Sequence, residues 1–232
     1  MLPELNLFGW SISTYWLMFI IGIVGMAILC LRRAQRYRLT PAKAILFALL
    51  LAICGLLGTK VLFILENWEY TLENGITLGG TSFYGALFLI PLLTSVYGRL
   101  LGMRPAESID FCAPAVMLML MFMRLGCWMN GCCGGIVIAG FQVPTQIIEA
   151  MGDAVICLIL LYFEEMDRKK SVLYPLMMIS YGTLRFAVEF FRDTPKDLLF
   201  LSRGHWYSLL AALAGGIWIC VAHQRRTKNG NN

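Results

Sequence analysis

The sequence predicts an all-α, polytopic membrane protein of seven transmembrane helices, with its N-terminus outside and its C-terminus in the cytoplasm. Three observations carry this. Of 232 residues, 59% are hydrophobic and 14% charged, with a mean hydropathy of +0.70, more apolar than a soluble core can use. Apolar stretches recur near the ~20 residues that cross a bilayer. The basic residues between them alternate in density from one connection to the next.

The expected spans are roughly 9–31, 42–65, 80–98, 108–126, 146–163, 172–191 and 205–223. The first Lys or Arg is Arg32, after the first apolar run, where a cleaved signal would need basic residues before it. The first run is therefore expected to remain as a span. Arg32, Arg33, Arg36, Arg38 and Lys43 follow it, Arg99 and Arg104 follow the third span, and Arg168, Lys169 and Lys170 follow the fifth. With Arg225, Arg226 and Lys228 after the seventh, 13 of the 19 Lys and Arg lie on one side, the cytoplasmic one. That parity needs an odd number of spans. Neither a repeat nor a linker interrupts residues 1–232, so one membrane domain is expected, with a disordered tail from about 225 to 232. The net charge of +5 is no nucleic-acid signal, because the basic residues map to membrane loops.

Six basic residues defy this bias: Lys60, Arg124, Arg185, Arg192, Lys196 and Arg203 fall in the outer half. An anionic ligand is the simplest reason. In the acidic outer segment Glu66–Gly80, Trp68 and Tyr70 suit interfacial anchors. The fourth span ends in Met123–Gly135, MRLGCWMNGCCGG, which gathers an arginine, an asparagine, three cysteines and four glycines. Gly131, Gly134 and Gly135 allow a sharp turn and close approach of a ligand. Pro144 suits the start of the next helix. In the sixth span, Tyr181, Arg185, Glu189 and Arg192 are spaced four, four and three apart and share one helical face. Such a stripe cannot face lipid; it either pins helices together or lines a site.

Cys30, Cys54, Cys112, Cys157 and Cys220 lie in apolar runs and read as small hydrophobes. Cys127, Cys132 and Cys133, with His205, form a possible thiol site, in which a thiolate beside Arg124 would be an activated nucleophile. Packing or a disulfide explains the cysteines equally well. The spacing C-x4-C-C is not a usual zinc pattern, so no metal is expected, and no cofactor.

Four stretches then stand in order: Gly79-Gly80-Thr81-Ser82-Phe83-Tyr84-Gly85; Arg124-Leu125-Gly126-Cys127 through Asn130-Gly131-Cys132, closed by Gly135; Val143-Pro144-Thr145-Gln146-Ile147-Ile148-Glu149; and Tyr181-Gly182, Arg185, Glu189, Arg192. Together they resemble the prolipoprotein diacylglyceryl transferase family over nearly the whole chain. The resemblance implies a seven-span enzyme of the bacterial cytoplasmic membrane with its active site toward the outer face. It would move the diacylglyceryl group of phosphatidylglycerol onto the lipobox cysteine thiol of a prolipoprotein and release glycerol phosphate. It implies Arg124, Arg185 and Tyr84 as catalytic positions, and Tyr15, Asn130, Gly135, Tyr181, Glu189 and Arg192 as substrate-binding ones. The chain departs from the family pattern at Tyr84 and Val143, where that pattern has histidine, at Cys127, where it has asparagine, and at Cys132, where it has glutamate. Two other readings stay open: a divergent paralogue passing an anionic phospholipid to another secreted acceptor, through a loop cysteine or otherwise, and a lipid-binding protein without turnover. A transporter fits least, since no matching broken-helix pair is present.

Overall fold

The structure is a computed structural model and describes residues 4–7, 10–75, 82–166, 172–195 and 200–230. Among the described residues the elements are helices, with two small antiparallel hairpins. Strands β1 (Glu4–Leu7) and β2 (Trp10–Ser13) pair in the register Glu4 with Ser13 and Leu7 with Trp10. Helix α1 (Thr14–Arg33) therefore starts later than the expected position 9. Trp-Ser-Ile-Ser alternates with strand period, a local signal that a span-length hydropathy window averages away.

A 3-10 turn over Ala34–Tyr37 and left-handed Arg38 (φ 57°) reverse the chain. Helix α2 (Pro41–Glu66) begins with proline in its first turn, and the Thr40 side chain accepts from the Lys43 N–H at 3.4 Å. The short α3 (Trp68–Asn74) ends at Gly75; Trp68 and Tyr70 on it are both at least half exposed. Then follow α4 (Phe83–Leu100), α5 (Pro105–Asn130), α6 (Thr145–Met166), α7 (Leu173–Glu189) and α8 (Arg203–Gly230). Glu107 starts α5 by accepting from the Arg104 N–H at 3.0 Å. Strands β3 (Val137–Ile138) and β4 (Phe141–Gln142) form the second hairpin, between α5 and α6.

Among the described residues, six helical stretches are long and apolar enough to cross a membrane: 14–37, 41–66, 83–100, 105–130, 145–166 and 203–224. The remaining expected span is α7, at 17 residues. It is ~26 Å long at 1.5 Å per residue, the lower limit for crossing the ~30 Å hydrocarbon layer. Burial has the membrane pattern. Ile53, Leu57, Val61 and Leu65, four residues apart on α2, are each at least 47% exposed, while Glu149, Asp153, Arg185, Glu189 and His205 are buried. The tail expected to be disordered from Arg225 instead continues α8 through Gly230; a helix already nucleated extends at little cost per residue. Residues 231–232, and the expected basic connection Arg168–Lys170, lie outside the described residues.

The chain packs as two compact units, 29–112 and the combination of 1–28 with 113–232. In the first, α2 and α4 meet backbone to backbone: a Cβ on Gly58 or Gly85 would strike the main chain of the other helix. Arg33 donates to the Phe111 carbonyl at 2.7 Å and lies 4.9 Å over its ring. In the second unit, Gly182 of α7 lies against Ser208 and Ala212 of α8, and Gly215 of α8 against Pro175 and Ile179 of α7. Small residues at these points let the helices approach closely. Gly152 admits Leu184 between α6 and α7. That close packing brings the polar faces of α5, α6 and α7 together.

Candidate active site

The apolar α6 carries two carboxylates one turn apart, Glu149 and Asp153, both buried. Glu149 is the centre of an ion cluster. Arg185 Nη1 donates to its Oε1 at 2.6 Å, and Arg192 Nη1 reaches the same oxygen at 3.4 Å. Arg124 Nε stands 2.5 Å from Oε2, an ion pair out of hydrogen-bond alignment. One carboxylate thus meets three guanidinium groups from α5, α7 and the turn after α7.

Glu189 closes the far side. Arg185 Nη2 pairs with its Oε2 at 2.8 Å, one helical turn apart, and Arg192 Nε lies 3.7 Å from the same oxygen. Ser202 Oγ and Thr194 Oγ1 donate to Oε1 at 2.7 and 3.1 Å. A Cβ on Gly204 would collide with this carboxylate, so only glycine leaves it room. A cavity of about 330 Å³ lies beside it, lined by Glu189, Thr194, Pro195, Ser202, Arg203 and Gly204. Asp153 is fully buried and feels the charges of Arg124 and Arg185, yet neither of its oxygens is hydrogen-bonded among the described residues.

Tyr181 is buried within electrostatic reach of both Arg124 and Arg185. Tyr15, on α1, packs against Gly126 and lies within electrostatic reach of Arg124 and the three loop thiols. Asn130 is the last residue of α5 and is exposed. Gly135 is where the loop meets the arginines: its backbone bridges that of Arg192, its N–H donates to Val143 O at 3.0 Å, and Ile136 N donates to Phe191 O at 2.8 Å. A Cβ on Gly135 would strike Phe191 O, Val143 O and Thr145.

The three loop cysteines are free thiols, and their sulfurs all lie within 4.8 Å of one another. The Cys133 thiol is pulled down to about 5 by the hydrogen bond to Cys127, with Arg192 and Arg124 adding to this and burial opposing it. Burial holds the Cys132 thiol above its ordinary value. His205 falls outside this group. Its Nδ1 accepts from the Ser202 N–H at 3.2 Å, and its ring packs edge-on against Phe186 and Phe190, so it stands behind Ser202 and Glu189. Tyr84 is buried in the first turn of α4, in the other unit. Gly79–Thr81 and Lys196 lie outside the described residues.

The sequence reading passed over the hub itself. Glu149 and Asp153 are carboxylates at i and i+4 on an apolar helix, the same signal that singled out Arg185 and Glu189. The same spacing marks them as one buried polar face of α6.

The profile of the prolipoprotein diacylglyceryl transferase family matches residues 4–221. The chain belongs to that family. A phosphatidylglycerol–prolipoprotein diacylglyceryl transferase of Methylococcus capsulatus is 30% identical, with 94% of this chain and 93% of the relative covered. One from Clostridium perfringens is 28% identical over 91% of each, and one from Clostridium tetani 26% identical over 90% and 93%. The family is one of transferases, and its member here is a multi-pass membrane protein.

Proposed function

We propose that this transferase moves the diacylglyceryl group of phosphatidylglycerol to the lipobox cysteine thiol of a prolipoprotein, in the bacterial inner membrane. The convergence of Arg124, Arg185 and Arg192 on one carboxylate carries this reading. A phosphate oxygen has the same charge and acceptor geometry as a carboxylate oxygen, so a cage that holds Glu149 suits a phosphodiester. The relatives' names supply the donor and acceptor classes.

The thiol sulfur attacks the glyceryl carbon bonded to the phosphate oxygen. A C–S bond forms, the C–O bond breaks, and its electron pair leaves on the phosphate. The phosphodiester carries one negative charge, and the glycerol phosphate monoester that departs carries up to two. The guanidinium groups therefore bind the departing phosphate more tightly than the donor, which is the differential binding that accelerates a reaction. Glu149 yields part of its hold as phosphate enters, helped by its misaligned contact with Arg124. Glu189 keeps Arg185 and Arg192 oriented. Asn130 and Tyr15 serve the glycerol and headgroup oxygens. The thiol proton leaves to solvent or to the released phosphate. In this reading α7 also crosses the membrane, as the sixth of seven spans, the N-terminus is outside, the C-terminus is cytoplasmic, and the cage faces outward.

The test is an assay of the purified chain with phosphatidylglycerol and a lipobox peptide, following glycerol phosphate and peptide mass together. Both products are expected, and both lost in Arg124→Ala. Glycerol phosphate without modified peptide would overturn the acceptor and move the divergent-paralogue reading ahead. Lipid binding without either product would leave a binding protein.

A further inference from the structure

The thiol loop has no part in the chemistry proposed above. Its residues are nevertheless held in place as a ligand set would be. Gly131 (φ 76°) and Cys133 (φ 60°) both adopt left-handed backbone, a conformation that costs a non-glycine residue energy and persists only when its surroundings enforce it. The enforcement is visible. Gln146 Nε2 donates to Cys132 O at 2.7 Å, and Thr145 Oγ1 to Cys133 O at 3.2 Å, tying the loop to the first turn of α6. Cys127 is anchored in the last turn of α5, and Cys132 Sγ lies 3.6 Å from its carbonyl. Two adjacent cysteines and one from the preceding helix so direct three sulfurs to one point, all within 4.8 Å of one another.

We propose that Cys127, Cys132 and Cys133 form a three-thiolate site for a single soft closed-shell cation, Cu(I). Metal–sulfur bonds of ~2.3 Å place the sulfurs of a trigonal site about 4 Å apart, so the triad needs to close by less than ~1 Å. Zinc prefers four ligands, whereas the group contains three sulfurs and no histidine or carboxylate among the described residues. Soft thiolates select Cu(I), and three ligands complete its trigonal coordination. Three thiolates around Cu(I) carry a net charge of −2. Arg124 and Arg192 lie within electrostatic reach of the sulfurs and offset that charge. Cys133 is exposed and opens the path of entry, while Cys127 is buried and closes the inner side. Binding exchanges the thiol protons for the metal, with no change of oxidation state.

The test uses the full-length protein, reduced and kept anaerobic in detergent, with Cu(I) supplied as its complex with a chromophoric chelator. One Cu(I) per chain should leave the chelator, and X-ray absorption should show three sulfur neighbours and no nitrogen or oxygen. Cys132→Ser and Cys133→Ser should each lose that capture, while Cys54→Ser, remote in the sequence and in an apolar run, retains it. Cys133 is exposed, so its replacement leaves the fold intact and keeps the test decisive if Cys127→Ser fails to fold. Capture well below one equivalent, capture unchanged in Cys133→Ser, or a site with two sulfurs would each overturn the proposal, as would stoichiometric Zn(II) that Cu(I) does not displace.

Discussion

The arginine cage and the thiol loop are neighbours built on opposite plans. In the cage, long side chains from three elements meet over a carboxylate, and each helix is regular where it contributes: Arg185 and Glu189 are one turn apart on α7, as are Glu149 and Asp153 on α6. In the loop the side chains are short, and the main chain does the work through left-handed Gly131 and Cys133 and carbonyls tied to α6. A charged cluster in a membrane must be satisfied internally, so its partners are forced on it by energy. A thiol cluster carries no such demand. Its convergence is set by backbone geometry, and that geometry needs a separate reason.

The difference can be broken at several points. Replacing Glu149 by alanine strands three guanidinium groups around a buried void, and removal of one partner from a buried ion pair costs ~3–5 kcal/mol. Most of the folded population should be lost, read as an early thermal transition and aggregation on size exclusion. Unchanged melting would show that the cage is not held by its hub. Arg124→Lys preserves the charge but not the planar fork, so the fold should persist while transferase turnover falls by about 10²–10³; equal turnover would mean that a point charge suffices.

Gly135→Ala acts on the seam between the two plans, since its Cβ meets Phe191 O, Val143 O and Thr145. Overpacking of that kind costs ~1–3 kcal/mol, and the displaced backbone carries Arg192 with it through their bridge. Turnover should fall along with stability; if stability alone drops, the loop and the cage are independent. The mildest change is one of pH. Cys133, lowered to about 5, stays a thiolate down to that pH, so its alkylation should keep its rate between pH 8 and 6. An ordinary thiol, near 8.5, loses about tenfold per unit over that range. A rate for Cys133 that falls in the same way would remove the hydrogen bond from Cys127 and the arginine field assigned to it.

The readable parts were those with a period or a sign. Hydropathy marked a span for each long helix, with the largest misses at the start of α1 and the end of α8, and the four-residue spacing put Tyr181, Arg185 and Glu189 on one face of α7. The parts that were not legible are local features shorter than a span, or charges whose partners lie far along the chain. The Glu4–Ser13 hairpin is too short for a span-length hydropathy window to show, and the partners of Glu149 come from other helices. His205 shares reactive chemistry with the loop cysteines, yet its Nδ1 belongs to Ser202. Nothing along the chain records which of two polar clusters a lone histidine will join.

The sequence by itself determined that this chain lives in a membrane, which family it resembles, and which charges cannot face lipid. Those conclusions rest on transfer free energies and helical period, which act locally and sum along the chain. Tertiary structure alone decided that Glu149 is the centre of three arginines and that three sulfurs separated by five and six residues meet at one point. Both depend on the angles at which helices and loop are packed, and close approach at small residues such as Gly152, Gly182 and Gly135 sets those angles.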